Sequence, residues 1–367
     1  MSDEIVYVDV KTIHNFMIDV FIGLGVPRED AEISAEVLIT SDVWGIDSHG
    51  IQRLKMYYDR IKDGIQLPVT KMSPVNETAT TALVDGGNGM GHVVAYRSMQ
   101  MAIEKAKKYG TGAVAVRNST HFGIAGYYVM MAVKEGMIGM TITNARPAVA
   151  PTFGVEPLLG TNPLTFGCPT DEAFPFIIDC ATSITQRGKI EVLNRAEEPT
   201  PAGWVIGLNG KPLTDTQAIL KDLVAGNAAL LPLGGAGETL GGHKGYGYST
   251  LVEILCAALG GGPYLKELSG GDKAEKKPYR LGHFFLAINV SSFASLDEFK
   301  KTAGNILREL RNSKKVPGQP RIYTAGEKEY EKQKERVETG IPINPNLQKD
   351  ITIMKEELGL DQYHFPF

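Results

Sequence analysis

The segment Asp47-Ser48-His49-Gly50-Ile51-Gln52-Arg53 sets a histidine and an arginine one helical turn apart. The spacing predicts a helix that begins here, with Asp47 or Ser48 capping its first N–H groups and His49 and Arg53, at i and i+4, sharing one face. A helix N-terminus already favours negative charge, so an imidazole and a guanidinium beside it would make a carboxylate receptor. That chemistry points to a small organic acid as ligand. The competing reading is a solvated first turn in which Arg53 pairs with a surface acid.

His121 follows the β-like run Gly112–Val116 and precedes the small residues Gly123-Ile124-Ala125-Gly126, a loop at a strand's end of the kind where α/β proteins carry reactive groups. A histidine there that titrates near neutrality could serve as acid and as base; a structural histidine is the alternative. Gly242-His243-Lys244-Gly245 reads as the opening of a helix whose N–H groups, close-approach glycines and lysine could hold a pyrophosphate, against a flexible helix start with a solvated lysine. Gly160-Thr161-Asn162-Pro163 and Asp179-Cys180-Ala181 each flank a β-like run, which would set polar side chains and open carbonyls along one lip of a cleft. No HxxxH or HExxH spacing occurs to suggest a metal.

Two familiar motifs fail on inspection. Gly86-Gly87-Asn88-Gly89-Met90-Gly91 sits between a strand and a helix like a dinucleotide fingerprint, but read from Gly87 the third required glycine falls at His92. The next strand also runs out at Arg117-Asn118, where a ribose-binding acid would be expected, so the glycines read as a tight turn. Ser48 beside His49 raises a serine hydrolase, yet adjacent residues on a helix point apart and no G-x-S-x-G elbow exists.

The elements that must position these residues follow from periodicity. Helical spacing recurs around Val10–Gly23, Arg28–Trp44 and His49–Lys62, with Pro27 placed to open the second run. After a linker near Gln66–Thr78 the pattern alternates: β-like Ala82–Asp85, helical Val93–Tyr109, β-like Gly112–Val116. Further β-like runs fall at Met137–Thr143, Leu164–Cys168, Phe176–Asp179 and Phe284–Val290, with a helical run at Tyr246–Leu259. Gly203–Ala229 reads as turn-rich, Ser269-Gly270-Gly271-Asp272-Lys273 as an exposed loop, and the charged Glu327–Val337 as a solvated helix face. The expectation is an α/β fold: a helical domain built from residues 1–75 and 300–367, and a non-Rossmann cofactor domain with a mixed sheet over 76–299.

Composition narrows the partners. The 38 basic and 42 acidic residues leave a formal charge of -4, with no electrostatic reason to expect nucleic acid or an anionic membrane. No window approaches the roughly 18 unbroken apolar residues of a membrane span, and Met1-Ser2-Asp3-Glu4 leads into no signal-like apolar run. Cys168, Cys180 and Cys256 are too scattered for a disulfide framework or a CxxC site, so inert thiols in a reducing, cytoplasmic setting are expected.

Ser48-His49-Gly50, Thr120-His121-Phe122-Gly123, Gly160-Thr161-Asn162-Pro163, Asp179-Cys180-Ala181-Thr182-Ser183 and Gly242-His243-Lys244-Gly245-Tyr246-Gly247 occur in this order over most of the chain. Together they resemble the malate/L-lactate dehydrogenase family that is unrelated to the Rossmann lactate and malate dehydrogenases. Relatives include sulfolactate, ureidoglycolate and diketogulonate dehydrogenases and a cyclic-imine reductase. The resemblance runs from about Val10 to Gly340. It implies an NAD(P)-dependent oxidoreductase interconverting a small 2-hydroxy acid and its 2-oxo acid, with malate and oxaloacetate the first expectation.

By the same resemblance His121 is the acid/base, and the catalytic set is His121, Ser48, His49 and Arg53. Asn144, Ala145, Gly160, Thr161, Asn162, Asp179, Cys180, Ala181, His243, Lys244, Gly245, Ala325, Gly326 and Glu327 match positions that contact the cofactor. Ala145 stands where the family often has serine, so any contact there must come from its backbone. Arg187 and Lys189 could meet a 2′-phosphate, which leaves NAD and NADP both open. A homodimer is implied by resemblance alone. The alternatives are another substrate of the family or a non-catalytic carboxylate-binding protein, and the latter would have no use for His121.

Overall fold

The computed structural model describes residues 4–269 and 277–367; the loop expected at Gly270–Lys273 lies outside them. The chain opens with β1 (Val6–Val8), α1 (Val10–Gly23), α2 (Arg28–Val43) and α3 (Leu54–Lys62). Asp9 caps α1 by accepting from the Thr12 N–H at 2.9 Å, and Pro27 stands at the start of α2. Their apolar faces close on a core of Phe16, Phe21, Leu38, Leu54 and Tyr57.

The helix predicted from Asp47 does not begin there. Two short 3₁₀ turns, Asp47–His49 and Ile51–Arg53, precede α3, with neither Asp47 nor Ser48 capping. The cause is the buried Asp42 carboxylate, which accepts the Ile51 N–H at 2.7 Å and fills the space where a Cβ on Gly50 would stand, 1.8 Å from its Oδ1.

Next come β2 (Ser73–Glu77), β3 (Thr81–Asp85), α4 (Gly91–Tyr109), β4 (Thr111–Ser119), α5 (Ala125–Lys134), β5 (Met137–Thr143), β6 (Leu164–Cys168) and β7 (Phe176–Cys180). The expected linker near Gln66–Thr78 therefore contains an edge strand. Then follow α6 (Arg187–Arg195), β8 (Val205–Gly207), α7 (Thr216–Ala225), β9 (Ala228–Leu230) and α8 (Gly242–Glu253), continued by a π turn over Ile254–Ala258. The turn-rich stretch is in fact this small β8–α7–β9 unit, which buries Val205, Ile219 and Leu230 against Ile190 of α6. The chain closes with β10 (Leu281–Asn289), α9 (Leu296–Asn312), α10 (Glu327–Thr339), β11 (Ile341–Ile343) and α11 (Pro345–Leu358).

The main sheet has seven strands in the order β2-β3-β4-β10-β5-β6-β7, parallel only between β3 and β4. It is mixed, as the pattern predicted. β10 is the central strand, and its side chains alternate: Phe285 joins the core under α4 and α5, while Phe284 faces Cys256 and Val252 on the opposite side. β11 pairs with β1, and α11 packs on α1 and α3, so both chain ends build the helical layer. α9, although C-terminal, is fastened to the turn between β6 and β7, where Arg308 holds Asp171 and Glu172. Met90, just before α4, and Val93 within it enter the helical core and seam the layers together.

Candidate active site

His121 is carried by the loop between β4 and α5. Gly91 allows this: its N–H donates to Thr120 Oγ1 at 2.9 Å, and a Cβ on it would stand 2.3 Å from the His121 carbonyl oxygen. The glycines of the false fingerprint thus pack against the histidine loop. Behind the loop, buried His283 stacks on Phe122 with centroids 4.6 Å apart and shares a hydrogen bond with Thr143 at 2.7 Å.

The His121 Nδ1 lies 2.6 Å from the Tyr57 hydroxyl, and the Gly123 N–H points at it from 3.3 Å. Its ring stacks on His49 with centroids 5.7 Å apart. Burial, aided by the neighbouring His49 ring and the charges of Arg60 and Arg53, drives its pKa well below the ordinary histidine value. The near-neutral histidine expected from the sequence is therefore, in the protein itself, a strongly depressed one. His49 is also pushed down, to about 4, by burial and Arg53. It is neutral at physiological pH, so Arg53 alone supplies the cation of the predicted pair.

Ser48 and His49 do touch, contrary to the helical expectation, because the 3₁₀ turn brings Ser48 Oγ to 2.9 Å from His49 Nδ1. A base with so low a pKa activates a hydroxyl poorly, which leaves the hydrolase reading without support. Arg53 donates from Nε to the Ser48 carbonyl at 2.6 Å, and no carboxylate meets it among the described residues. The predicted surface ion pair is absent there. The first turn of α6 approaches instead: a Cβ on Gly188 would lie 3.9 Å from Arg53 Nη2.

A cavity of about 380 Å³ runs from His49 along Thr161, Asp179, Cys180 and Ala181 to Thr185, Lys189 and Leu233, with Ile124 and Ile184 among its apolar walls. Thr185 Oγ1 in this lining is buried without a hydrogen-bond partner, a polar atom that a ligand would satisfy. Asp179 is fully used by the fold, accepting from the Gly126 N–H at 2.7 Å and Thr165 Oγ1 at 2.8 Å, and burial raises its pKa. Cys180 lines the cavity while Cys168 and Cys256 are buried, and burial raises all three thiols, so none is a ready nucleophile.

The remaining sequence-predicted residues divide between support and rim. Asn144 and Asn162 are buried braces: Asn144 accepts from the Gly282 N–H at 2.8 Å, and Asn162 accepts the Ala145 N–H at 3.1 Å and donates to Glu253 at 2.9 Å. The Ala145 N–H is thus already committed. Gly160 stays small because a Cβ would stand 2.4 Å from the Ala145 carbonyl oxygen.

His243 and Lys244 are exposed at the start of α8, beside Leu233, whose carbonyl a Cβ on Gly245 would strike. The His243 N–H donates to Gly237 and those of Lys244 and Gly245 to Gly241, so that helix start offers chiefly an ammonium rather than free amides. Ala325 and Gly326 lead into α10, and Gly326 borders a smaller cavity of about 70 Å³ that meets the first at Ile46 and Asp179. Glu327 is buried and bound to Arg321 and to the Thr324 N–H at 3.0 Å, which makes it a brace. Arg187 pairs with Glu191 at 2.9 Å, leaving Lys189 as the cation on the cavity wall.

Sequence reasoning passed over Tyr57 and Arg336. Tyr57 continues the His49, Arg53 series by one more step of four, a signal that was present. Arg336 of α10 grips the Asp47 carboxylate and the Asp42 carbonyl, a contact 289 residues apart in sequence that no local pattern announces.

The chain is similar to known proteins over nearly its whole length. Residues 8–352 match the family described as malate/L-lactate dehydrogenase. The chain is 42% identical to a malate dehydrogenase of Pyrococcus abyssi over 98% of this chain and 97% of that one. It is 38% identical to an L-sulfolactate dehydrogenase of Methanocaldococcus jannaschii, covering 94% and 95% of the respective chains. The crystal structure of malate dehydrogenase from Entamoeba histolytica superposes with a TM-score of 0.95 at 46% identity, covering 99% of this chain and 100% of that one. With its stacked histidine pair, an arginine that meets no carboxylate among the described residues and an adjoining cavity all inside the matched span, this chain belongs to the malate/L-lactate dehydrogenase family.

Proposed function

We propose that the protein is an NAD(P)-dependent 2-hydroxyacid dehydrogenase interconverting malate and oxaloacetate. The observation that carries the reading is His121, half-buried, stacked on His49 and bonded through Nδ1 to Tyr57, beside an arginine with no carboxylate partner among the described residues. The names of its relatives among the malate dehydrogenases support the substrate.

NAD or NADP, when bound, supplies or accepts the hydride. The residues that would hold it are Thr161, Cys180, Ala181 and Thr185 of the cavity, with Lys189 and Lys244 as cations; the orphaned Thr185 hydroxyl and the apolar wall fit such a ligand. Arg53 and His49 take the substrate carboxylate, and the anion raises the depressed pKa of His121 beside it. The Tyr57 hydroxyl can donate to bare Nδ1 or accept from protonated Nδ1, which leaves Nε2 to carry the travelling proton. In reduction His121 gives that proton to the forming hydroxyl; in oxidation it takes it back.

We further propose that residues 1–75 with the elements from α10 onward form the helical unit and 76–299 with α9 the cofactor unit. A cytoplasmic homodimer is the working form of this reading. Support for pairing comes from Tyr248, Leu251 and Ile254, left exposed along α8 and its π turn, and from Leu259 just beyond it. No described helix is long and apolar enough to cross a membrane. The test of function is nicotinamide absorbance with a panel of 2-oxo acids and both cofactors: oxaloacetate should be reduced, and no turnover of any 2-oxo acid would overturn the reading. Light scattering should return a dimer mass, and a monomer mass at micromolar concentration would remove the pairing.

A further inference from the structure

Most arginines whose side chains are described hold a carboxylate. Arg97 has Asp30, Arg117 has Asp85, Arg308 has Asp171, Arg311 has Glu172 and Arg336 has Asp47. Arg53, Arg60, Arg146 and Arg280 have none among the described residues; Arg280 is spent on Asn118, while Arg60 and Arg146 meet at one ring and Arg53 bears on Arg60 from nearby. Arg60 lies on α3 one turn beyond Tyr57; its guanidinium carbon is 4.9 Å from the centre of the Tyr279 ring. Arg146 follows the end of β5; its guanidinium carbon is 4.6 Å from the same ring, and its Nη1 donates to the Tyr279 hydroxyl at 3.4 Å.

We propose that Arg60 and Arg146, both packed on Tyr279, receive a second anionic group of the substrate, a distal carboxylate or sulfonate, while Arg53 takes the carboxylate next to the reacting carbon. This rests on the 2-oxo-acid reading above and says which members of that class the site selects.

The physical argument is one of uncompensated charge. Arg53 and Arg60 both act on half-buried His121, and Arg60 is burdened further by burial, which together with Arg146, exposed on the far side of Tyr279, and Arg53 lowers its pKa. The aromatic face of Tyr279 offsets part of this through cation–π contact but carries no net charge. A dianionic substrate supplies the missing counter-charge, and planar guanidinium forks suit carboxylate and sulfonate oxygens alike. A monocarboxylate would satisfy Arg53 and leave the other two uncompensated.

The experiment compares kcat/KM for oxaloacetate, 3-sulfopyruvate and pyruvate in the parent, Arg60→Gln, Arg146→Gln and Arg60→Lys. Each Gln variant should lose about 10- to 100-fold for the two dianions, the size of one charge-assisted hydrogen bond, mostly through KM and with a much smaller loss for pyruvate. Arg60→Lys should keep part of the preference. The dianion more strongly affected identifies the tail group, carboxylate or sulfonate. Equal losses for dianions and pyruvate would overturn the inference, because the arginines would then act on chemistry common to all three.

A binding arm needs no turnover, so it separates this inference from the oxo-acid reading. Succinate should raise the parent's Tm more than butyrate does, and the Gln variants should lose that difference. If the parent shows no such difference, the second anion site does not exist, whatever the enzyme reduces.

Discussion

His121 combines a strongly depressed pKa with a short bond to Tyr57, and its protonation sets the direction of the chemistry. Reduction needs the protonated ring, and kcat/KM reports the free protein. Because the free histidine titrates well below 6.5, kcat/KM for oxo-acid reduction should climb about tenfold per pH unit on acidification through pH 6.5 without levelling there. Oxidation needs the neutral ring, already present, so its kcat/KM should stay flat from that pH upward. A plateau of the reduction profile near 6.5 would show an unperturbed group. His121→Asn keeps size but removes the proton carrier, and kcat should fall about 10²–10⁴-fold with cofactor affinity retained by fluorescence titration. Arg53→Lys keeps charge but loses the fork, so the oxo-acid KM should rise with cofactor affinity nearly fixed. The residue types of this site were legible because His49, Arg53 and His121 stand in recognisable local settings. Their protonation was not, since burial and neighbouring cations arise only on folding.

Arg336 is the means by which one element sets another. It leaves α10 to bind Asp47 and the Asp42 carbonyl, and Asp42 in turn holds the Ile51 N–H, so the turns bearing Ser48, His49 and Arg53 hang on a helix from the other end of the chain. Arg336→Met should cost about 2–3 kcal/mol, less than a fully buried pair would because Asp47 is partly exposed, and should lower Tm. The oxo-acid KM should rise more than kcat falls, a split that simple destabilisation would not produce; an unchanged KM would show that the turns hold their shape unaided. Elements were read best where periodicity was long: the helix Val10–Gly23 and the strands Met137–Thr143 and Leu164–Cys168 have the bounds the pattern predicted. α5 escaped notice because it starts at Ala125-Gly126 with no side-chain cap, and α7 because Gly and Pro on both sides outweigh its short amphipathic run. The start of α3 misled because Gly50 answers to Asp42 in space rather than to its neighbours in sequence.

At the scale of the whole molecule, the seam between helical layer and sheet is where charge has been suppressed. His92 of α4 lies in it, fully buried against Phe21 and Tyr57, with neither ring nitrogen hydrogen-bonded and a pKa driven by burial to about 3. The position of β10 between β4 and β5 was beyond any sequence pattern because strand periodicity reveals a strand but not its neighbours. The energetic consequence can be measured. Below pH 6.5 the unfolded chain protonates His92 while the folded protein does not, so folding stability falls with pH from 6.5 down to about 3. The slope is about 1.4 kcal/mol per pH unit for one such group. His49 and His283, pushed to about 4 and about 3, act with the same sign. Asp42, whose pKa is raised by burial, acts with the opposite sign, because the folded protein then holds a proton that the unfolded chain has lost. The total acid sensitivity therefore mixes both contributions, and a single substitution isolates one. His92→Phe keeps an aromatic ring in the seam and removes the titration; whatever its constant packing cost, urea denaturation at pH 7.5, 6 and 5 should show the variant gaining on the parent by about 1.4 kcal/mol per unit once below pH 6.5. A stability difference that stays constant across those pH values would mean that His92 is protonated inside the folded protein, with a partner that the seam does not contain.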